Sequence, residues 1–142
     1  MAQQPVVSGW EAIPYIKPSG RSQVLDFFAE LLAEHFKDHL ELIEVVIPRL
    51  EEDGPHRVGP PVWEGLSDGL FEMRVHRVRI YCSVETGQKI VMYLGRIKRW
   101  PKFEGADRKL ANAARADYCS GSYDQDERSR LYLELQKRRG QP

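Results

Sequence analysis

Cationic side chains alternate with apolar ones through the middle of this 142-residue chain, and their types and spacing suit phosphate chemistry. Arg74 and Arg79 lie in runs where every second residue is apolar. In a β-strand such alternation sends the two sets of side chains to opposite faces, so both arginines should emerge on one face of a sheet. Lys98 and Arg99 follow at the end of a later apolar run. Guanidinium and ammonium groups in one patch bind phosphate, so the pattern indicates a surface for a phosphate-bearing ligand.

The formal net charge of zero conceals a segregation of charge along the chain. Residues 1–73 hold five Lys/Arg against 13 Asp/Glu, a balance of −8. Residues 74–109 hold ten Lys/Arg against three Asp/Glu, a balance of +7, and residues 110–142 carry +1. A basic block of this size favours polyanion binding, because one basic face is enough. The alternative is that acidic and basic faces pair within the fold or across a dimer.

Aromatic residues are interleaved with these cations, among them Tyr81, Tyr93 and Trp100. The combination suits a single-stranded nucleic acid, since guanidinium groups bind phosphate while rings stack on bases. The other interpretation is an ordinary solvent-facing sheet surface, where arginine and tyrosine are common.

Signatures of other chemistries are missing from the sequence. No dinucleotide-binding GxGxxG follows a strand, and neither a Walker A sequence nor a GxSxG elbow occurs. His35 and His39 have the spacing of metal ligands on a helix, but a third ligand is not apparent. Asp124, Asp126 and Glu127 resemble part of a calcium loop but lack its glycine and terminal glutamate. We therefore expect neither a metal nor a cofactor.

Helices are predicted ahead of the basic block. Trp10–Ile16 reads as an edge strand at best, because a proline interrupts it. Ser22 is a suitable N-cap for a helix whose apolar stripe ends at Phe36. The same periodicity predicts a second helix over Leu40–Leu50. Pro48 lies inside it and should kink or shorten it.

The basic block itself reads as an antiparallel meander. Residues 54–69 are predicted to form a surface loop, because glycine and proline are frequent there. Alternation then predicts strands over residues 71–75 and 78–83, joined by a tight turn at His76-Arg77. A third strand is expected over Lys89–Ile97. The strand arginines should lie on the sheet face opposite the helices.

The C-terminal part is predicted to be helical. Ala106–Tyr118 has high helix propensity, and a Ser-Gly-Ser linker separates it from a charged helix over Asp124–Arg139. Helices followed by a meander and further helices indicate an α+β fold rather than a doubly wound sheet. In full, we expect an N-terminal strand and helical pair, a three- to four-stranded antiparallel sheet, and C-terminal helices.

The length and composition of the chain limit the classes of protein to which it can belong. A chain of 142 residues that is 42% hydrophobic has room for one packed domain, predicted over residues 1–120, with 121–142 as a charged helical extension. No apolar run approaches the roughly 18 residues needed to span a bilayer, and the N-terminus lacks the features of a secretory signal. The two cysteines are too few for a disulfide framework. These features predict a cytoplasmic protein with no membrane partner.

Several short motifs in this order carry a resemblance to a known family. They are Tyr15-Ile16, Gly20–Ser22, Val24–Phe28, Gly69–Arg74, Val78–Tyr81, Ile90–Leu94 followed by Lys98-Arg99, and Ala106–Tyr118. Over roughly residues 10–120 the chain resembles the RelE/ParE superfamily of bacterial toxins, in particular its phage-derived, HigB-like branch. Where that branch reads Lys-Lys-Thr-Gln-Lys-Thr-Pro after the third strand, this chain reads Ile-Lys-Arg-Trp-Pro-Lys. The resemblance implies a RelE-like fold.

For function, the resemblance implies the toxin of a type II toxin–antitoxin system. RelE-like members are metal-independent endoribonucleases that cleave messenger RNA, usually on the translating ribosome, and so inhibit translation. The 2′-hydroxyl attacks the adjacent phosphate, and cations stabilise the dianionic transition state. The resemblance implies catalysis by Arg74, Arg79, Lys98, Arg99 and His76, and RNA contacts by Arg77, Arg96, Trp100, Lys102, Tyr81 and Tyr118.

Individual roles within this set have alternatives. His76 is either a general acid or base, since histidine titrates near neutrality, or a plain turn residue. Tyr118 either stacks on a base or packs the closing helix against the sheet. Glu72 is expected to be an ion-pair partner for a strand arginine.

The superfamily also contains alternatives to RNA cleavage. ParE-like members inhibit DNA gyrase by binding it, and a catalytically degenerate member would act only as a protein-binding module. A HigB-like toxin implies a small helix-turn-helix antitoxin as its protein partner, beside messenger RNA on the ribosome.

Overall fold

The computed structural model describes residues 9–34, 36–66, 69–98 and 104–120, which form a mixed α+β fold. In chain order the elements are β1 (Glu11–Pro14), α1 (Gln23–Ala33), α2 (Lys37–Asp53), α3 (Pro55–Val58), β2 (Trp63–Gly65), β3 (Phe71–Val75), β4 (Val78–Glu85), β5 (Lys89–Ile97) and α4 (Glu104–Cys119). The predicted α+β class is confirmed. The predicted extension over residues 121–142, with its helix Asp124–Arg139, lies outside the described residues.

The strands form one sheet in the order β1-β5-β4-β3-β2. The predicted hairpin is confirmed, because Val75 pairs with Val78 and leaves only His76-Arg77 in the turn. Four strands, β2 to β5, pair antiparallel, within the predicted range of three to four. The N-terminal strand β1 joins them at one edge and lies parallel to β5. The expectation that residues 54–69 form only a loop was wrong, because α3 and β2 occupy part of that range.

Helices α1 and α2 cover one face of the sheet, called here the first face. The apolar stripe of α1 packs there on alternate residues of β3, β4 and β5, for example Met73, Ile80 and Met92. The predicted cap begins α1, since the backbone N–H of Leu25 donates to Oγ of Ser22 over 3.4 Å. Burial of this stripe is the main force that holds α1 on the sheet.

Helix α2 continues through Pro48 to Asp53, so of the two predicted effects, a kink or a shorter helix, the second does not occur. Proline lacks an N–H and so removes one intrahelical hydrogen bond. The residues after it still reach the core, because Leu50 is fully buried. Burial of that next turn offsets the missing bond, and the helix ends only at Gly54, whose φ is +84°.

Helix α4 covers the opposite face of the sheet, called here the second face. Ala111 is buried there among Tyr15, Tyr81 and Tyr93. The hydroxyl of Tyr15 donates to Asp117 over 2.5 Å. None of the described helices is long and apolar enough to cross a membrane.

Candidate active site

Three arginines stand side by side on neighbouring strands at the hairpin end of the sheet. Arg74 of β3 pairs in register with Arg79 of β4, and Arg79 pairs with Arg96 of β5. Adjacent strands lie about 4.8 Å apart, so the three side chains share one small patch. We call Arg74, Arg79 and Arg96 the arginine row. The prediction that Arg74 and Arg79 share a face is confirmed.

A β-bulge brings Arg96 into the row. Between β4 and β5 the register shifts at Tyr81/Cys82, and Tyr93 is the extra residue on β5. Tyr93 and Leu94 consequently both pack on the second face, and the alternation of β5 is reversed beyond them. Without this shift, Arg96 would point into the core between the first face and the helices α1 and α2, called here the first core, instead of standing beside Arg79.

The face that carries the row differs from the expectation. It is opposite α1 and α2, as predicted, but it is not bare of helices, because α4 packs on it. A sheet that is apolar along both faces must be covered on both. The row therefore lies next to the start of α4 rather than on an open sheet surface.

Carboxylates neutralise the row. Nε of Arg74 lies 2.6 Å from Oε1 of Glu72, and its Nη1 lies 3.8 Å from Glu64. Nε of Arg79 lies 3.5 Å from the same Glu72 oxygen, and Nε of Arg96 lies 3.2 Å from Asp107 of α4. Glu72 is a buried ion-pair partner of two strand arginines, as predicted for one. The three positive charges of the row thus face three negative ones.

Arg79 and the backbone of Lys98 also hold the hairpin turn. Nη1 of Arg79 donates to the carbonyl oxygens of His76 and Val78, over 2.5 and 3.0 Å. The N–H of Lys98 donates to the carbonyl oxygen of Arg77 over 2.6 Å, which ties the end of β5 to the same turn. His76 has a φ of +54°, a conformation that is uncommon outside glycine. The backbone of this turn is therefore fixed from both sides.

A cleft of about 350 Å³ opens beside this turn, next to the first face. Its lining residues are Phe36, His39, His76, Arg77 and Ile97. The imidazole rings of His39 and His76 lie edge to face with their centroids 6.0 Å apart. Arg77 is exposed, and no carboxylate of the described residues pairs with its guanidinium group. The cleft thus joins two imidazoles to a cation that is not neutralised by the described part of the chain.

His39 is not linked with this site by any pattern in the sequence. Its spacing from His35, which lies outside the described residues, suits only a pair of metal ligands on a helix. The start of α2 and the β3–β4 turn are far apart along the chain, and no local motif links them. The described residues contain no group of three or more His, Cys, Asp or Glu side chains that could hold a metal ion.

One of the proposed RNA-contacting aromatics is buried. Tyr81 is only 2% exposed, and its ring packs in the core between the second face and α4. Tyr118 is half-buried and packs against the same core, in agreement with the packing alternative. Arg99, Trp100 and Lys102 lie outside the described residues, and their roles stay predictions.

Two ionisable side chains, Cys82 and Tyr93, are buried in the core, away from the cleft. Burial raises the pKa of the Cys82 thiol, which lies in the first core. Burial likewise raises the pKa of Tyr93, whose hydroxyl is 2.7 Å from Oγ of Ser83. Both groups are kept neutral, and neither lines the cleft.

Comparison of the chain with models of known protein families and with curated proteins found no match.

Proposed function

We propose that this chain is the toxin of a type II toxin–antitoxin system and acts as a metal-independent endoribonuclease on messenger RNA. The proposal combines the motif resemblance to the RelE/ParE superfamily with the element order: an N-terminal strand and helical pair, a mainly antiparallel sheet and a closing helix. It includes a cytoplasmic location and a helix-turn-helix antitoxin as partner.

One observation supports the chemistry most directly. Five of the ten basic residues in the block lie at the hairpin end of the sheet, around or in the His76-Arg77 turn: Arg74, Arg77, Arg79, Arg96 and Lys98. The turn carries Arg77, the arginine row lies on one side of it, and Lys98 follows β5 beside it. Cations placed together in this way stabilise the charge that develops on a phosphate during cleavage. His76, at the same turn, is the proton-transfer group of this proposal.

The neutralised arginine row favours a second candidate function. Cations that are already paired with carboxylates attract a polyanion less than bare ones do. A protein of the same fold that binds a partner, such as DNA gyrase in the ParE-like manner, needs no exposed cationic surface of this kind. The second candidate is therefore a toxin that acts by protein binding.

Induced expression in a bacterial host separates the two. We expect growth arrest with new cuts in abundant transcripts, mapped by primer extension before and after induction. Growth arrest with intact transcripts would favour the second candidate, which a supercoiling assay with purified gyrase then tests. Unimpaired growth with the full chain present as folded protein would contradict both.

Matched variants connect the cuts to the site. Arg77→Gln should abolish new cuts, whereas Arg57→Gln should leave them unchanged, since Arg57 is an exposed arginine on α3 away from the cleft. Equal cleavage by both variants would remove the turn from the active site.

A further inference from the structure

Two imidazoles from distant parts of the chain line one cleft. His39 stands in the first turn of α2 and His76 in the hairpin turn, and their ring centroids are 6.0 Å apart. Both side chains can therefore reach one group seated in the cleft, without movement of the backbone.

Each ring is held by a different part of the fold. His39 packs edge to face against Phe36, with centroids 5.5 Å apart, at the start of a helix that is anchored in the core. His76 is carried on a residue with a φ of +54°, whose carbonyl oxygen is bound by Arg79. A two-residue hairpin turn requires a positive φ at its first residue, so the turn itself fixes the backbone that carries this ring.

The charge of the cleft selects the ligand. Its lining combines His39, His76 and Arg77 with the apolar walls of Phe36 and Ile97, and no carboxylate is among these residues. A site with one cation and two groups that can be protonated favours an anion over a metal ion. Arg79 and Lys98 donate hydrogen bonds to the main chain of the turn that carries His76 and Arg77. A phosphodiester fits this chemistry.

We propose that His39 and His76 are the acid–base pair that cleaves RNA in this cleft, with Arg77 stabilising the charge on phosphorus. The inference rests on the proposed function and places the scissile phosphate in the cleft. Arg79 of the arginine row is then a positioning residue that holds the turn.

The reaction balances with these groups alone. One neutral imidazole accepts the proton of the 2′-hydroxyl as the O2′–P bond forms, and the P–O5′ bond breaks. The other, protonated imidazole donates its proton to O5′. The products are a 2′,3′-cyclic phosphate and a 5′-hydroxyl, and the two imidazoles have exchanged protonation states.

The test uses the full chain with an end-labelled RNA, both free and on programmed ribosomes. The variants are His39→Ala and His76→Asn, since asparagine tolerates a positive φ. Each should cleave about 100-fold or more slowly than the parent chain. His56→Ala is the matched control and should cleave at the parent rate, because His56 packs edge to face on Phe71 but does not line the cleft. Thermal unfolding verifies that each variant is folded.

A second readout separates proton transfer from a structural role. The parent chain should show a bell-shaped dependence of rate on pH, and each cleft variant should lose one limb, because an acid and a base that act together must be in opposite protonation states. An RNA with sulfur in place of the bridging O5′ atom has a leaving group that needs no proton. It should restore the rate of the variant that lacks the acid, and not of the other.

The two levels of the proposal fail in different ways. A parent chain that leaves RNA intact, free and on ribosomes, would overturn the proposed function and this inference with it. A parent chain that cleaves RNA while folded His39→Ala or His76→Asn variants cleave equally fast would overturn the acid–base pair alone.

Discussion

The guanidinium group of Arg79 donates a hydrogen bond through Nη1 to the main-chain carbonyl oxygen of His76, over 2.5 Å. Nε of the same group lies 3.5 Å from Oε1 of the buried Glu72, so Arg79 connects a buried carboxylate of β3 to the turn. Arg79 therefore links the arginine row to the cleft, although the two lie on opposite faces of the sheet. Replacing Arg79 is expected to change the position of His76.

Arg79→Lys tests whether Arg79 acts by its charge or by its geometry. A lysine keeps the charge but cannot reproduce a planar group that contacts two carbonyl oxygens and a carboxylate at once. We expect Arg79→Lys to lower the rate of RNA cleavage as much as Arg79→Ala does, by up to about 100-fold. Single-turnover cleavage measures both, and full activity of the lysine variant would show that charge alone matters.

Replacing both Arg74 and Arg79 with alanine should destabilise the fold. Both guanidinium groups contact Glu72, whose side chain is only 4% exposed, and the double variant leaves that carboxylate without these two cations. The expected loss is roughly 3 kcal/mol, at the low end for a broken buried ion pair because the Arg74 side chain is 36% exposed. Urea unfolding measures the free energy of unfolding.

Two further variants control this experiment. Adding Glu72→Gln should recover much of the loss, because it removes the buried charge that the double variant leaves behind. Arg96→Ala should cost less than about 1 kcal/mol, since the Arg96 side chain is 46% exposed. A double-alanine variant as stable as the parent would contradict the role of Glu72 as the centre of the row.

Gly95→Ala should destabilise the contact between α1 and β5. A Cβ at this position would collide with the ring of Phe27. Gln23 of α1 also holds Gly95 through two hydrogen bonds to its main chain, of 3.0 and 2.7 Å, so the strand cannot easily move away. We expect a loss of about 1–3 kcal/mol in the free energy of unfolding.

A second strand glycine serves as the control for Gly95. A Cβ on Gly65 of β2 would meet Phe71 at an ordinary contact distance of 3.8 Å, so Gly65→Ala should have little effect on stability. Phe27→Leu should relieve part of the loss in the Gly95→Ala background, since it removes ring atoms. Equal stability of the two alanine variants would contradict the predicted collision.

Stability should fall as the pH rises above about 8.5. Burial raises the pKa of both Cys82 and Tyr93, so the folded chain keeps protons that the unfolded chain releases near pH 8.5 and 10, respectively. The unfolded state is then favoured with increasing pH, by up to about 1.4 kcal/mol per pH unit for each group. Urea unfolding between pH 7 and 10.5 measures the slope.

Tyr93→Phe measures how much of the pH dependence of the free energy of unfolding comes from Tyr93. The variant should be less stable at pH 7, because it loses the hydrogen bond to Ser83, but its stability should fall less steeply above pH 10. An unchanged slope would mean that Tyr93 does not contribute to the alkaline transition.

Much of the local structure could be predicted from the sequence, because local periodicity encodes it. The apolar stripe after Ser22 specified α1, and alternation specified the β3–β4 hairpin with its turn at His76-Arg77. The shared face of Arg74 and Arg79 followed from the same alternation. The helix α4 followed from its composition. Each of these depends on residues that are close in sequence.

Only the tertiary structure decided the composition of the candidate site. Arg96 joins the row because a bulge reverses the alternation of β5, and a bulge depends on the partner strand. Tyr81 is buried because α4 packs on the second face, which a strand pattern alone cannot reveal. His39 meets His76 because α2 packs on β3, the strand that leads into the hairpin turn. Side-chain contacts of this kind arise from packing between distant segments, and local sequence carries no direct record of them.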